Sequence, residues 1–138
     1  MALRDISSSD LISYLAVAAY SQQMRLPRET EPWQLLFFEL TGQQGEKPAF
    51  LEDMVFDAEE HPTCRELNTT LSLWMFRSLN RDGTLNIDDA ARLKPEYDTL
   101  DSETKAYVDR AVVLAKAQFK DYVAEWPEAI EIRFKSAE

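Results

Sequence analysis

The sequence predicts an all-α fold, a single compact helical domain over residues 1–138 with about five helices and at most a minor β element. Two observations carry this prediction. Apolar residues recur at three- and four-residue steps along most of the chain, which is the period of an amphipathic helix. Capping residues, prolines and glycines fall between these stretches, where helices begin and end. A chain of 138 residues has the usual length of one domain and can bury a core without disulfides.

Two helices are predicted in the N-terminal third of the chain. The first spans about residues 9–24, begins among serines that can cap it and ends before Pro27. The second spans about residues 31–41, with Thr30 as its cap and Gly42 just past its end. Its apolar stripe consists of Trp33, Leu36, Phe37 and Leu40.

The third predicted helix, about residues 63–78, is expected to form the centre of the domain, with the other helices packed around it. It is apolar on nearly all sides, which is typical of a helix surrounded by others. Its main stripe consists of Cys64, Leu67, Leu71, Met75 and Leu79. We expect Leu71, Trp74, Phe37 and Phe119 to be buried, and Cys64 to be a small core residue.

The C-terminal half is predicted to contain a short helix over about residues 88–93, stopped before Pro95, and a long regular helix over about 102–126. Residues 130–134 alternate between apolar and charged, which indicates a strand. The internal partner for such a strand would be 49–56, where a short helix and a two-strand bend both fit the pattern.

The charge of the chain is strongly acidic and unevenly placed. The net charge is −10, and residues 39–66 hold eight acidic residues against two basic ones. This balance repels phosphate, so we expect no direct nucleic-acid binding. Two interpretations of the acidic segment are open: a solvated face that aids solubility, or a docking face for a partner with a basic surface. The candidate partner-binding residues are Glu52, Asp53, Asp57, Glu59 and Glu60.

No stretch has the length and apolarity of a transmembrane helix, and the first residues lack the pattern of a secretory signal. The single cysteine cannot form an internal disulfide. These features predict a cytoplasmic protein that does not bind membranes.

Residues 78–89 resemble an EF-hand calcium loop, and their ending also resembles the loops of dockerin modules. The ligands implied by this alignment are the side chains of Asn80, Asp82 and Asp89 and the carbonyl of Thr84. The first position is a serine rather than an acid, the last acid is short, and the sequence shows no second loop. The alternative is a structural turn in which Gly83 takes a positive φ and short polar side chains bond the backbone. No cofactor is predicted apart from calcium at this loop, and we expect any calcium binding there to be weak.

No catalytic centre is evident, and the protein is predicted not to be an enzyme. His61 and Cys64 are close in sequence, but no further ligands, oxyanion hole or orienting acid accompanies them. Paired carboxylates such as Glu52 and Asp53 are expected by chance in a chain with 25 acids.

The order of several segments resembles the Panacea (SocA-like) helical antitoxin domains. These segments are an N-terminal helix, then WQLLFFELTG over 33–42, KPAF over 47–50, FDAE over 56–59 and LDSETK over 100–105. The Tyr-Gly-Pro element of that family is absent, and His61 and Pro62 stand near its place. The resemblance implies an all-helical, non-enzymatic protein that neutralises or delivers a partner.

The function expected from the sequence is therefore an acidic protein-interaction domain of the antitoxin, immunity or inhibitor type. Two alternatives remain. A DNA mimic would use spaced carboxylates to imitate phosphates, and a calcium-responsive module would use the loop at 78–89.

Overall fold

The computed structural model of the chain describes residues 2–57, 61–120 and Tyr122. Over these ranges the fold is all-α, as predicted. A 3₁₀ turn at Leu3–Asp5 precedes six α-helices: α1 (Ser8–Ser21), α2 (Thr30–Gly42), α3 (Phe50–Asp53), α4 (Arg65–Ser78), α5 (Ile87–Asp98) and α6 (Ser102–Phe119). The β pairing seen in this part of the chain is two isolated bridges, Asp57 with Thr63 and Leu79 with Leu85. No helix in the described ranges is both long and apolar enough to cross a bilayer.

Helix α1 occupies the centre of the domain, so the prediction that the third helix would do so is wrong. A capping box begins α1: Ser7 Oγ accepts from the Asp10 N–H at 3.1 Å, and Asp10 Oδ2 accepts from the Ser7 N–H at 2.9 Å. The helix packs against α4, α5 and α6. Ala16 and Ala19 are fully buried, and such small side chains let neighbouring helices approach closely.

Helix α4, which corresponds to the third predicted helix, packs one face on α1 and α2. Leu71 and Trp74 are buried on that face, as predicted. Leu73 and Phe76 point outward, with 63% and 90% of their surfaces exposed. Two of the apolar residues of this helix therefore face solvent. Having apolar residues on nearly all sides did not mean that the helix is surrounded by other helices.

Helix α5 runs through Pro95 to Asp98, whereas the sequence predicted a stop at Leu93. A proline inside a helix removes one donor and crowds the preceding turn. Here Leu93 and Tyr97, four residues apart, are both buried, so the extra turn adds apolar burial on the core side. Lys94 and Asp98 also form an ion pair across this turn, with 2.6 Å between Nζ and Oδ1.

Two other predicted elements differ from the structure or lie outside it. Residues 50–53 form the short helix α3, so the helical alternative for 49–56 is correct and the strand alternative is not. Its predicted strand partner, 130–134, lies outside the described residues. Helix α6 begins at Ser102 as expected, capped by Asp101, and ends at Phe119. Of its predicted remainder, residues 121 and 123–126 lie outside the described residues.

The aromatic core lies where α2, α4 and α6 meet. The Trp33 ring lies 5.9 Å from that of Trp74, edge to face, and 4.9 Å from that of Phe119, tilted, with both distances measured between centroids. Trp33 Nε1 donates to the Pro27 carbonyl at 3.0 Å, which satisfies the buried indole. Phe37 and Phe119 are buried, as predicted. This core fixes the loop after α1, to which Pro27 belongs, against α2.

Candidate functional site

The segment between α4 and α5 is a tight turn closed by backbone hydrogen bonds. The Asn80 N–H donates to the Thr84 carbonyl at 2.8 Å, and the Gly83 N–H donates to the Asn80 carbonyl at 3.0 Å. Gly83 has a φ of +85°, which glycine adopts without strain. Leu79 and Leu85 flank the turn and are buried. The backbone therefore matches the structural-turn interpretation of this loop.

Three of the four predicted calcium ligands lie together, and they bond to one another. Asp82 Oδ1 accepts from the Thr84 N–H at 3.1 Å and from Thr84 Oγ1 at 2.6 Å. Asn80 Nδ2 donates to Thr84 Oγ1 at 3.0 Å. The Thr84 carbonyl, the predicted backbone ligand, accepts from Asn80. Asp89 lies in α5, where it accepts from Arg92 Nη2 at 3.1 Å.

Asn86, at the ninth loop position, acts as a helix cap. Its Oδ1 accepts from the N–H groups of Asp88 and Asp89, in the first turn of α5. Among the described residues, no group of three or more His, Cys, Asp or Glu side chains is arranged to hold a metal ion. Calcium binding at this loop stays a prediction.

The loop after α1 holds this turn from outside, through contacts that no sequence motif indicated. The Leu26 N–H donates to the Gly83 carbonyl at 2.7 Å. Arg25 Nε donates to the carbonyl of Asp82. A Cβ at Gly83 would lie 2.5 Å from the Leu26 carbonyl oxygen, so glycine is required by the close approach as well as by φ.

The acidic segment 39–66 presents its carboxylates in different settings. Glu52 accepts two hydrogen bonds from Arg4, at 2.5 and 3.1 Å, and the hydrogen bond from Arg4 lowers the pKa of Glu52. Asp53 and Asp57 are exposed, and neither forms an ion pair with another described residue. Glu59 and Glu60 lie outside the described residues. Asp53 and Asp57 are therefore the two predicted partner-binding acids that are exposed and have no ion-pair partner among the described residues.

Exposed apolar side chains stand among these acids. Val55 is 81% exposed, and Phe38 on α2 is 42% exposed. The rings of Phe38 and Phe56 meet edge to face, with 5.3 Å between centroids. We call Phe38, Asp53, Val55, Phe56 and Asp57 the acidic–apolar surface. The sequence analysis missed its apolar part, although Phe38 stands off the buried stripe of its helix and could have signalled it.

His61 and Cys64 have separate surroundings. Cys64 is buried, as expected of a core residue, and its backbone N–H and carbonyl bond both ends of the buried Gln34 amide, at 2.9 and 3.1 Å. His61 is exposed, with Nδ1 3.2 Å from Glu31 Oε1. The histidine thus lies beside a carboxylate of α2, while the thiol packs in the core.

Comparison with known proteins finds no match to this chain among family models, curated proteins or solved structures. The resemblance to the Panacea domains therefore stays a hypothesis based on the sequence.

Proposed function

We propose that the protein is a non-enzymatic acidic interaction domain that binds a protein partner with a basic surface and modulates its activity, in the manner of an antitoxin, immunity protein or inhibitor. The observation that carries the proposal is the acidic–apolar surface. Val55 is exposed inside the segment that holds most of the acidic excess, and the exposed Phe38, just before that segment, packs against Phe56.

The composition of this surface suits protein binding. Protein interfaces combine an apolar centre, often aromatic, with a polar rim. Phe38 and Phe56 supply a pair of rings that support each other, and Val55 projects beside them. Burying a side chain such as Val55 against a partner is worth about 1.5–3 kcal/mol. Asp53 and Asp57 would form the acidic rim, which accelerates association with a basic partner and makes it sensitive to salt.

The same surface favours a protein partner over DNA mimicry. A DNA mimic needs free carboxylates in rows that follow a phosphate backbone. Here apolar residues interrupt the acids, and Glu52 is neutralised by Arg4. Lysines such as Lys105 and Lys116 also interrupt the acids of α6.

The test begins with affinity capture from a native lysate at low and high salt, followed by binding kinetics with the identified partner. We expect Asp53→Lys/Asp57→Lys to slow association by roughly tenfold or more, because the rim would repel a basic surface. Val55→Asp should mainly accelerate dissociation, because it places a charge in the apolar centre.

The matched control is Glu96→Lys/Glu103→Lys, which makes the same change in net charge at exposed positions of α5 and α6. It should leave association within a factor of about two, since only long-range charge is altered. An equal effect of both double variants would contradict the assignment of the surface. Turnover of a small molecule by the purified protein, lost on substitution of His61 or Cys64, would contradict the non-enzymatic role.

A further inference from the structure

A small cavity lies where the loop after α1 meets the turn after α4. It has a volume of about 160 Å³. Three arginines line it, Arg25 and Arg28 from the first segment and Arg81 from the second. Glu29, Asp82 and Tyr122 complete its polar wall. At about 30 Å³ for each water molecule, the space would hold roughly five waters, which suits a small polyatomic ion or one functional group of a larger ligand.

The charge of this cavity is opposite to that of the protein. The chain has a net charge of −10, yet three arginines against two acidic residues line this cavity. In the described part of the chain, none of the three arginines forms an ion pair within 4 Å. Asp82 Oδ1 is already directed to Thr84. The lining therefore has a formal excess of one positive charge, which suits an anionic ligand.

The walls of the cavity are held in place before any ligand binds. The hydrogen bonds from Leu26 to Gly83 and from Arg25 to Asp82 join its two segments. Leu26 and Gly83 are buried, whereas Arg28 and Arg81 are exposed at the rim. The backbone frame is therefore fixed, and two guanidinium groups remain available to a ligand from solvent.

We propose that Arg25, Arg28 and Arg81 form a binding site for a phosphate group, either inorganic phosphate or the phosphate monoester of a small molecule. The guanidinium group is a planar fork of donors that matches phosphate oxygens in pairs. A phosphate dianion offers three strong acceptor oxygens and the charge that this cluster lacks. This site is separate from the acidic–apolar surface and does not depend on the proposed function.

The proposal is tested by calorimetric titration of the full chain with inorganic phosphate, and in a second arm with O-phosphoserine, at constant ionic strength. We expect saturable binding in at least one arm and none with serine. Binding of inorganic phosphate alone would identify the free ion as the ligand, and tighter binding of O-phosphoserine would identify a phosphate monoester. Arg28→Gln and Arg81→Gln should each weaken binding about tenfold or more, because each removes charge-assisted hydrogen bonds.

The control is Arg77→Gln, which removes the same charge from an exposed position on α4 away from the cavity. It should leave the affinity unchanged, and the circular dichroism spectra of all three variants should match that of the parent. Absence of saturable binding at millimolar phosphate in both arms would overturn the proposal. An equal loss in Arg77→Gln would also overturn it, because the effect would then reflect net charge alone.

Discussion

Two buried tyrosines differ in whether their hydroxyl groups are hydrogen-bonded. Tyr97 and Tyr107 are both almost fully buried, and burial, as the largest cause, raises the pKa of each to about 12. Tyr97 OH donates to Asp109 Oδ1 at 3.0 Å. The hydroxyl of Tyr107 has no hydrogen-bond partner among the described residues. An unsatisfied buried hydroxyl has a desolvation cost. Tyr107 should therefore stabilise the fold no more than a phenylalanine at the same position would.

We therefore expect opposite effects from the same substitution at these two positions. Tyr107→Phe should leave the free energy of unfolding unchanged or raise it by up to about 1 kcal/mol, because it removes an unpaired polar group. Tyr97→Phe should lower it by about 1–1.5 kcal/mol, because it leaves Asp109 without its donor. Urea unfolding followed by circular dichroism measures both. A larger loss for Tyr107→Phe than for Tyr97→Phe would show that the Tyr107 hydroxyl is satisfied.

The contact between the loop after α1 and the turn after α4 is the clearest case of one segment determining the conformation of another. Gly83 combines a φ of +85° with backbone contact to Leu26. Gly42, at the end of α2, has neither constraint: a Cβ there would meet nothing within 4 Å, and its φ is not positive. The two glycines therefore have different roles: Gly42 ends a helix, and Gly83 forms a turn between two helices.

Gly83→Ala should lower the free energy of unfolding by more than about 1–2 kcal/mol, which is the cost of the left-handed conformation before the clash with Leu26 is added. The control, Gly42→Ala, should raise it by about 0.4–1 kcal/mol, because alanine reduces the freedom of the unfolded chain without strain. Thermal melts of both variants measure the difference. Equal stabilities for the two variants would mean that the turn can move away from the loop without cost.

At the scale of the whole molecule, the buried residues form one continuous core that extends from Leu3 to Phe119. It includes Trp33 and Trp74, whose rings pack against each other between α2 and α4. Because the same core holds all of the longer helices, we expect a single cooperative unfolding transition. The urea midpoints from tryptophan fluorescence and from far-ultraviolet circular dichroism should coincide. Separate midpoints would show that part of the chain unfolds on its own.

The local features of the chain were predictable because they depend on neighbours in sequence. The all-α class and the positions of α1, α2 and α4 follow from apolar spacing and from capping residues, and the structure confirms them. The turn at Gly83 follows from a short polar sequence that bonds its own backbone, one of the two interpretations of that loop. Local spacing also identified residues such as Leu71 and Phe119 as buried.

Two features depend on tertiary structure alone. They are which apolar helix faces are buried by other helices, and which charged residues come close together in space. Periodicity cannot distinguish Trp74 from Phe76 on the same helix, because exposure depends on where the neighbouring helices lie. The continuation of α5 through Pro95 likewise depends on the burial of Tyr97 against its neighbours. Arg25 and Arg81 are far apart in sequence, and only the packing of one loop against a turn brings them to the same cavity. For this reason, the sequence indicated an acidic surface but gave no indication of the arginine cluster at this cavity.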